Sequence, residues 1–228
     1  MADVQSRRQE LDRRHAEWMS CEKCALSQTR TQVVVGSGDP DADLMFVGEA
    51  PGFHEDKQGI PFVGQAGKLL ETLLEEIGLS RDQVFIANVL KCRPPGNRDP
   101  QFDEIEACQG KLFAQIQLIQ PLVICTLGNF STKLLSGSQT GITRVRGRAQ
   151  THVFGAVSVQ LYPIYHPAAA LYTPAMLETL RSDFASIPAL LAGEAAAPPQ
   201  PVAPTAEPIP VLVATAAPEP EPAQLGLF

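Results

Sequence analysis

Short apolar runs alternating with stretches of helical spacing constrain this chain more than any other feature. Leu44-Met45-Phe46-Val47, Val84 to Leu90, Leu122 to Leu127 and Val157 to Ile164 are strand-length and largely apolar, as expected of strands covered on both faces. Within Gly67 to Ile77 the apolar residues Leu69, Leu70, Leu73, Leu74 and Ile77 recur at helical spacing. Asp103 to Ile119, Phe130 to Leu135 and Pro174 to Leu191 also read as helices. Ahead of the first run, Arg7 to Met19 reads as a helix and Thr29 to Gly38 as a short strand leading to a turn. The alternation implies an α/β fold of three layers, α/β/α, around a central, mainly parallel sheet of roughly four strands. In open parallel sheets ligands bind beyond the carboxyl ends of the strands. Three loops leave such ends, Gly48 to Gly67, Asn88 to Pro100 and His166 onward, and they are expected to meet in one pocket.

The 228 residues suit one domain with an appendage. Residues 1–192 carry the folded pattern. Residues 193–223 are rich in Pro and Ala, hold no Lys, Arg or aromatic residue, and are expected to form a disordered linker before residues 224–228. No apolar run reaches the roughly 20 residues that a membrane helix needs, and charges run through Met1 to Trp18. A cytoplasmic, monomeric protein without membrane contact is expected. The formal charge of -7 looks unsuited to nucleic acid, but it is unevenly spread. From Ala107 to Leu177 there is no Asp or Glu, while Lys111, Lys133, Arg144, Arg146 and Arg148 fall there. The alternating arginines fit either phosphate contact or the solvated side of an edge strand.

Cys21 and Cys24 stand two residues apart, a spacing that lets both thiolates face one centre, whereas Cys92 and Cys108 are separated by fifteen residues. A zinc ribbon normally repeats the short spacing. Iron-sulfur clusters accept four thiolates with long gaps, which favours a 4Fe-4S cluster over zinc. A reducing cytosol argues the same way against disulfides. Buried free thiols are the plain alternative for any single cysteine, and Cys125, inside Leu122 to Leu127, fits that description.

Gly48-Glu49-Ala50-Pro51-Gly52 follows a strand but lacks the Lys and Ser/Thr of a phosphate-binding loop. It continues through Glu55-Asp56 to Gly59-Ile60-Pro61-Phe62-Val63-Gly64-Gln65-Ala66-Gly67. Phe62, on a glycine-rich loop, suits stacking on a flat ligand better than a core.

Gly48 to Gly67, Asn88-Val89-Leu90-Lys91-Cys92-Arg93-Pro94-Pro95-Gly96-Asn97-Arg98, Cys108, Arg146-Gly147 and Tyr165-His166-Pro167 together resemble the family 4 uracil-DNA glycosylases, over roughly Cys21 to Leu191. The resemblance implies an enzyme that hydrolyses the N-glycosidic bond of uracil in single- or double-stranded DNA, leaving an abasic site for base excision repair. It also implies that Cys21, Cys24, Cys92 and Cys108 hold a 4Fe-4S cluster of structural duty.

A base processed within DNA is swung out, held on an aromatic face and read along its edge. By resemblance Phe62 supplies the face and Asn88, whose amide donates and accepts, separates uracil from cytosine. His166 donates to O2 as charge develops there, helped by backbone amides of the loop containing Gly48 and Ala50. Glu55 crowds the 5-methyl of thymine, and Glu49 lies nearer the water path. Other uracil glycosylases carry an Asp where Ala50 stands, so Glu49 or Asn97 is left to orient water. Arg93, Arg98, Arg146 and Arg148 gain a use as phosphate contacts, and Leu171 as the side chain entering the gap left by the base.

Two other readings stay open. A relative of this family grips uracil-DNA without turnover, or covalently, through a His in an inserted basic loop, but Arg93 to Pro100 carries neither a His nor an insertion. A zinc-stabilised binding module would lack catalysis. Finally, Gln224-Leu225-Gly226-Leu227-Phe228 resembles the peptide by which bacterial repair proteins dock on the sliding clamp.

Overall fold

The computed structural model describes residues 3–171 and 173–193. Its strands are β1 (Ser37–Gly38), β2 (Leu44–Gly48), β3 (Phe85–Asn88), β4 (Val123–Leu127), β5 (Gln150–Phe154) and β6 (Val157–Ile164). They form one sheet in the order β1-β3-β2-β4-β6-β5, parallel through β3, β2, β4 and β6. Every residue of β2, β3 and β4 is buried, which explains why their sequences do not alternate.

The α-helices among the described residues are α1 (Val4–Trp18), α2 (Phe53–Gln58), α3 (Gln65–Glu76), α4 (Phe102–Ile119), α5 (Asn129–Ser136), α6 (Ile142–Val145), α7 (Pro167–Ala170), α8 (Pro174–Ala185) and α9 (Ile187–Leu191). One core joins Leu11 of α1 and Leu112 and Ile116 of α4 to Met45 and Val47 of β2. The other joins Leu70, Leu73 and Leu74 of α3 and Leu180 and Phe184 of α8 to Leu44 and Phe46. Alternate residues of β2 thus feed opposite faces, giving the three layers expected.

The sheet has six strands rather than about four, because short antiparallel strands close both edges. Of Thr29 to Gly38 only Ser37–Gly38 is strand, and Ala25–Gln28 is a 3₁₀ turn. The arginine alternation is not an edge strand: α6 covers Arg144, and the strand starts later, at Gln150. The closing helix breaks at Ser186, two residues before Pro188, into α8 and α9. No helix among the described residues is long and apolar enough to cross a membrane. The linker beyond Gly193 and the peptide Gln224 to Phe228 lie outside the described residues.

Candidate active site

The carboxyl ends of β2 and β3 lie side by side, with Gly48 and Asn88 register partners. Val89 and Leu90 continue the ladder by donating to the carbonyls of Gly48 and Glu49, both at 3.0 Å. Above these ends opens a cavity of about 370 Å³. Glu49, Ala50, Gly52, Glu55 and Phe62 line it from the β2 side, Asn88, Asn97 and Arg98 from the β3 side, and His166 from the end of β6. The three loops therefore converge. Pro51, Pro94 and Ala168 line it too, and nothing in their chemistry singled them out in the sequence.

Gly48 admits no side chain. A Cβ there would stand 2.3 Å from Oδ1 of Asn88 and 2.8 Å from the Phe62 ring. Asn88 is 2% exposed, and its Oδ1 is buried without a hydrogen-bond partner. Such an atom is costly in a finished core, at about 1–3 kcal/mol, unless a ligand completes it.

Phe62 corrects the expectation that it is unsuited to a core: it is buried and packs with the cluster around Leu70 and Ile164. Its ring nevertheless lines the cavity and stacks on His166, centroids 5.5 Å apart and planes at 27°. Its φ of 54° lies in the left-handed region that aromatic residues rarely adopt. Three contacts hold it there. Oε1 of Glu55 accepts from the amides of Val63 (2.9 Å) and Gly64 (2.8 Å), Arg81 donates to the carbonyls of Phe62 and Pro61, and Gly67 leaves room for the Phe62 carbonyl. Glu55 thus clamps the loop with one carboxylate oxygen.

His166 caps α7, its Nδ1 accepting from the Ala168 amide at 3.1 Å. Burial pushes its pKa down to about 4, against a weaker upward pull from Glu55. The ring is neutral at pH 7, and with Nδ1 engaged as acceptor the proton sits on Nε2. Glu49 is shifted the other way: burial, with Asp99 adding to it, pushes its carboxyl up to about 7. Two groups in one cavity thus hold pKa values displaced in opposite senses, the usual mark of acid-base work. Asn97 is exposed, at φ 55°, and its Oδ1 accepts from Nε of Arg93 at 2.6 Å.

Cys21, Cys24, Cys92 and Cys108 all line one narrow space, with Arg30, Lys91 and Lys111 around it. Among the described residues no group of three or more His, Cys, Asp or Glu is set to hold a single metal ion. Burial pushes the Cys92 thiol up to about 11, while Arg30 donates toward its Sγ at 3.6 Å. The Lys91 amide donates to Sγ of Cys108 at 3.3 Å. Cys125, in β4, is fully buried and apart from this group.

The arginines separate. Arg98 is fastened to buried Glu104, its two guanidinium nitrogens 3.0 and 2.5 Å from the carboxylate. Arg146 forms a forked pair with buried Asp183, at 3.1 and 2.7 Å, and lies over Tyr165. Arg148 is exposed, Arg93 half-buried, and neither forms an ion pair among the described residues. Leu171 is 40% exposed at the end of α7.

The family model of the uracil DNA glycosylase superfamily matches residues 35–186. A type-4 uracil-DNA glycosylase of Sulfurisphaera tokodaii is 51% identical over 182 residues, covering 78% of this chain and 83% of that protein. Those of Saccharolobus solfataricus and Archaeoglobus fulgidus are 48% and 47% identical, covering 75% of this chain and 82% and 88% of their own. The matched segment contains both walls of the cavity, so fold, site and similarity agree: the chain belongs to the type-4 uracil-DNA glycosylases of the uracil DNA glycosylase superfamily.

Proposed function

We propose that this chain excises uracil from DNA by hydrolysing the N-glycosidic bond, leaving an abasic site for base excision repair. The observation that carries the reading is the unpartnered, buried Oδ1 of Asn88 at the cavity wall. Uracil presents a donor at N3 and an acceptor at O4, which one amide satisfies together. Cytosine presents an acceptor at N3, so its entry leaves Oδ1 unpaired and is rejected. Phe62 holds the flat face of the base, and the missing side chain of Gly48 leaves room for its edge.

As the bond between C1′ and N1 breaks, its electron pair moves into the uracil ring and toward O2. Nε2–H of neutral His166 donates there, and because the ring is already neutral the site need not shed a proton to reach this state. Water adds its oxygen to C1′ and passes its proton to Glu49, whose raised pKa suits a base near neutral pH. Asn97 and the amides of the Gly48–Gly52 loop assist in orienting water and base. On this reading Glu55 both limits the room beside C5 of the base and fixes the Phe62 loop.

The four cysteines fit a 4Fe-4S cluster: an all-thiol set around one space, flanked by cations. Bound there, the cluster would supply a structural tie between the segment after α1, the loop after β3 and α4. Cys92→Ser is expected to lose iron and lower the melting temperature. Full stability without iron would refute this duty. Arg93, Arg148 and Leu171 are proposed to meet DNA, single- or double-stranded. A monomeric, cytoplasmic enzyme tethered to the sliding clamp through residues 193–223 and Gln224 to Phe228 completes the reading. Deleting the last five residues is then expected to abolish clamp binding and spare excision on short strands.

The test is incubation with uracil-containing single and double strands followed by alkaline cleavage of abasic sites. Strand breaks at uracil and none at cytosine are expected, and breaks must accumulate beyond one per protein molecule. No breaks would overturn the reading, and a single stoichiometric adduct would favour the non-turnover alternative.

A further inference from the structure

Helix α2 sorts its side chains by charge. Its two carboxylates turn inward: Glu55 holds the amides of Val63 and Gly64, and Asp56, 4% exposed, accepts from the Thr31 amide at 2.9 Å. Its outer side presents Phe53, 45% exposed, with His54 edge-on at 5.4 Å. Nζ of Lys57 lies 4.4 Å from the Phe53 ring centroid, and the guanidinium of Arg93, from the loop after β3, lies 5.2 Å from it. Neither cation forms an ion pair among the described residues. The cluster stands at the cavity mouth, since Gly52 and Glu55 line the cavity beside Phe53 and Arg93 is bonded to Asn97, which also lines it.

An exposed aromatic ring between two cations keeps apolar surface in water and sets like charges close together, against which the two cation–π contacts return only a small stabilisation. It does match an unpaired nucleotide, whose base stacks on an aromatic face while its phosphate takes the cations. Resting on the uracil-excision reading, we propose that Phe53, Lys57 and Arg93 form a stacking subsite for a base adjacent to the flipped uracil. One neighbour of the flipped base has lost its stacking partner, and Phe53 replaces it.

The test is the dissociation constant of a short single strand carrying 2′-fluoro-2′-deoxyuridine, whose glycosidic bond resists cleavage, read by fluorescence anisotropy. Phe53→Ala is expected to weaken binding about 5- to 150-fold, the range for losing one base stack. Phe53→Trp is expected to restore it to within about twofold, which general damage to the fold would not allow. Lys57→Ala and Arg93→Ala are each expected to reduce the slope of log affinity against log salt by about 0.7. Equal affinities of wild type and Phe53→Ala would overturn the subsite alone. Equal wild-type affinity for strands with and without the uracil analogue would overturn the uracil reading and the subsite together. A fall in affinity for free uracil in Phe53→Ala would make the ring part of the base pocket and would also overturn the subsite.

Discussion

Lys91 holds Asn88 from inside the protein: its Nζ donates to the Asn88 carbonyl at 2.9 Å and to Oε1 of Gln115 at 2.6 Å. Gln115 in turn donates to the Val35 carbonyl at 2.7 Å and lies 2.9 Å from Nε2 of His15. A buried polar network therefore runs from Asn88, at the cavity wall, to α4 and α1. Lys91 also sits between that residue and the cysteine-lined space.

Lys91→Met keeps much of the stem and removes the ammonium, stranding two buried acceptors. A loss of about 3 kcal/mol is expected from their desolvation, measured by the urea midpoint, together with weaker binding of free uracil as Asn88 loosens. An unchanged midpoint would show that the network adds nothing to stability.

Arg146 and Arg148 are two residues apart and are expected to fail differently. Arg146→Ala leaves Asp183, 2% exposed, without its cation, which typically costs about 3–5 kcal/mol. Its effect is expected in the melting temperature. Arg148→Ala removes no ion pair among the described residues, so its effect is expected in DNA affinity, with a shallower salt dependence. Matching stability losses would contradict the separation.

That separation was beyond the sequence, because the partner of Arg146 lies 37 residues further on and nothing local marks it. The Arg98–Glu104 pair was nearer to legible, since Gln101 and Glu104 form a capping box at the start of α4. The central strands were readable because burial on both faces leaves apolar runs, and the three strand-end loops named the cavity in advance. Edge strand β5 was missed: Gln150 to Phe154 is mostly polar and partly exposed, although Gly155, at φ 64°, marks the hairpin turn into β6. Helix α2 was hidden in a stretch that glycines and prolines made look like continuous loop, yet Gly52 and Gly59 are its caps. The role of Lys91 was hidden by its chemistry, as lysine is seldom wholly buried.

The raised carboxyl of Glu49 fixes the sign of the pH dependence. Below about 7 it is protonated and cannot accept a proton from water, so the single-turnover rate is expected to rise with pH through 7 and then level. His166 stays neutral down to about 4 and adds no limb in that range. Glu49→Gln is expected to lower the rate and flatten the profile. The same shift means that the folded protein holds this proton more tightly than the unfolded chain. Its contribution to stability is present below the ordinary carboxylate range and is lost as pH rises through 7. A wild-type rate that falls as pH rises through 7 would remove Glu49 from the role of base.

Asn88 is proposed to read the edge of the base, and the most direct measurement of that role is the single-turnover release of uracil and cytosine by wild type and Asn88→Asp. A carboxylate accepts from the exocyclic amino group of cytosine and cannot donate to O4 of uracil. The variant is expected to lose uracil release by about 100-fold or more, because O4 loses its donor and faces a carboxylate, a penalty of about 3 kcal/mol, and to gain measurable release of cytosine. Uracil release at the wild-type rate, with none from cytosine, would contradict the account.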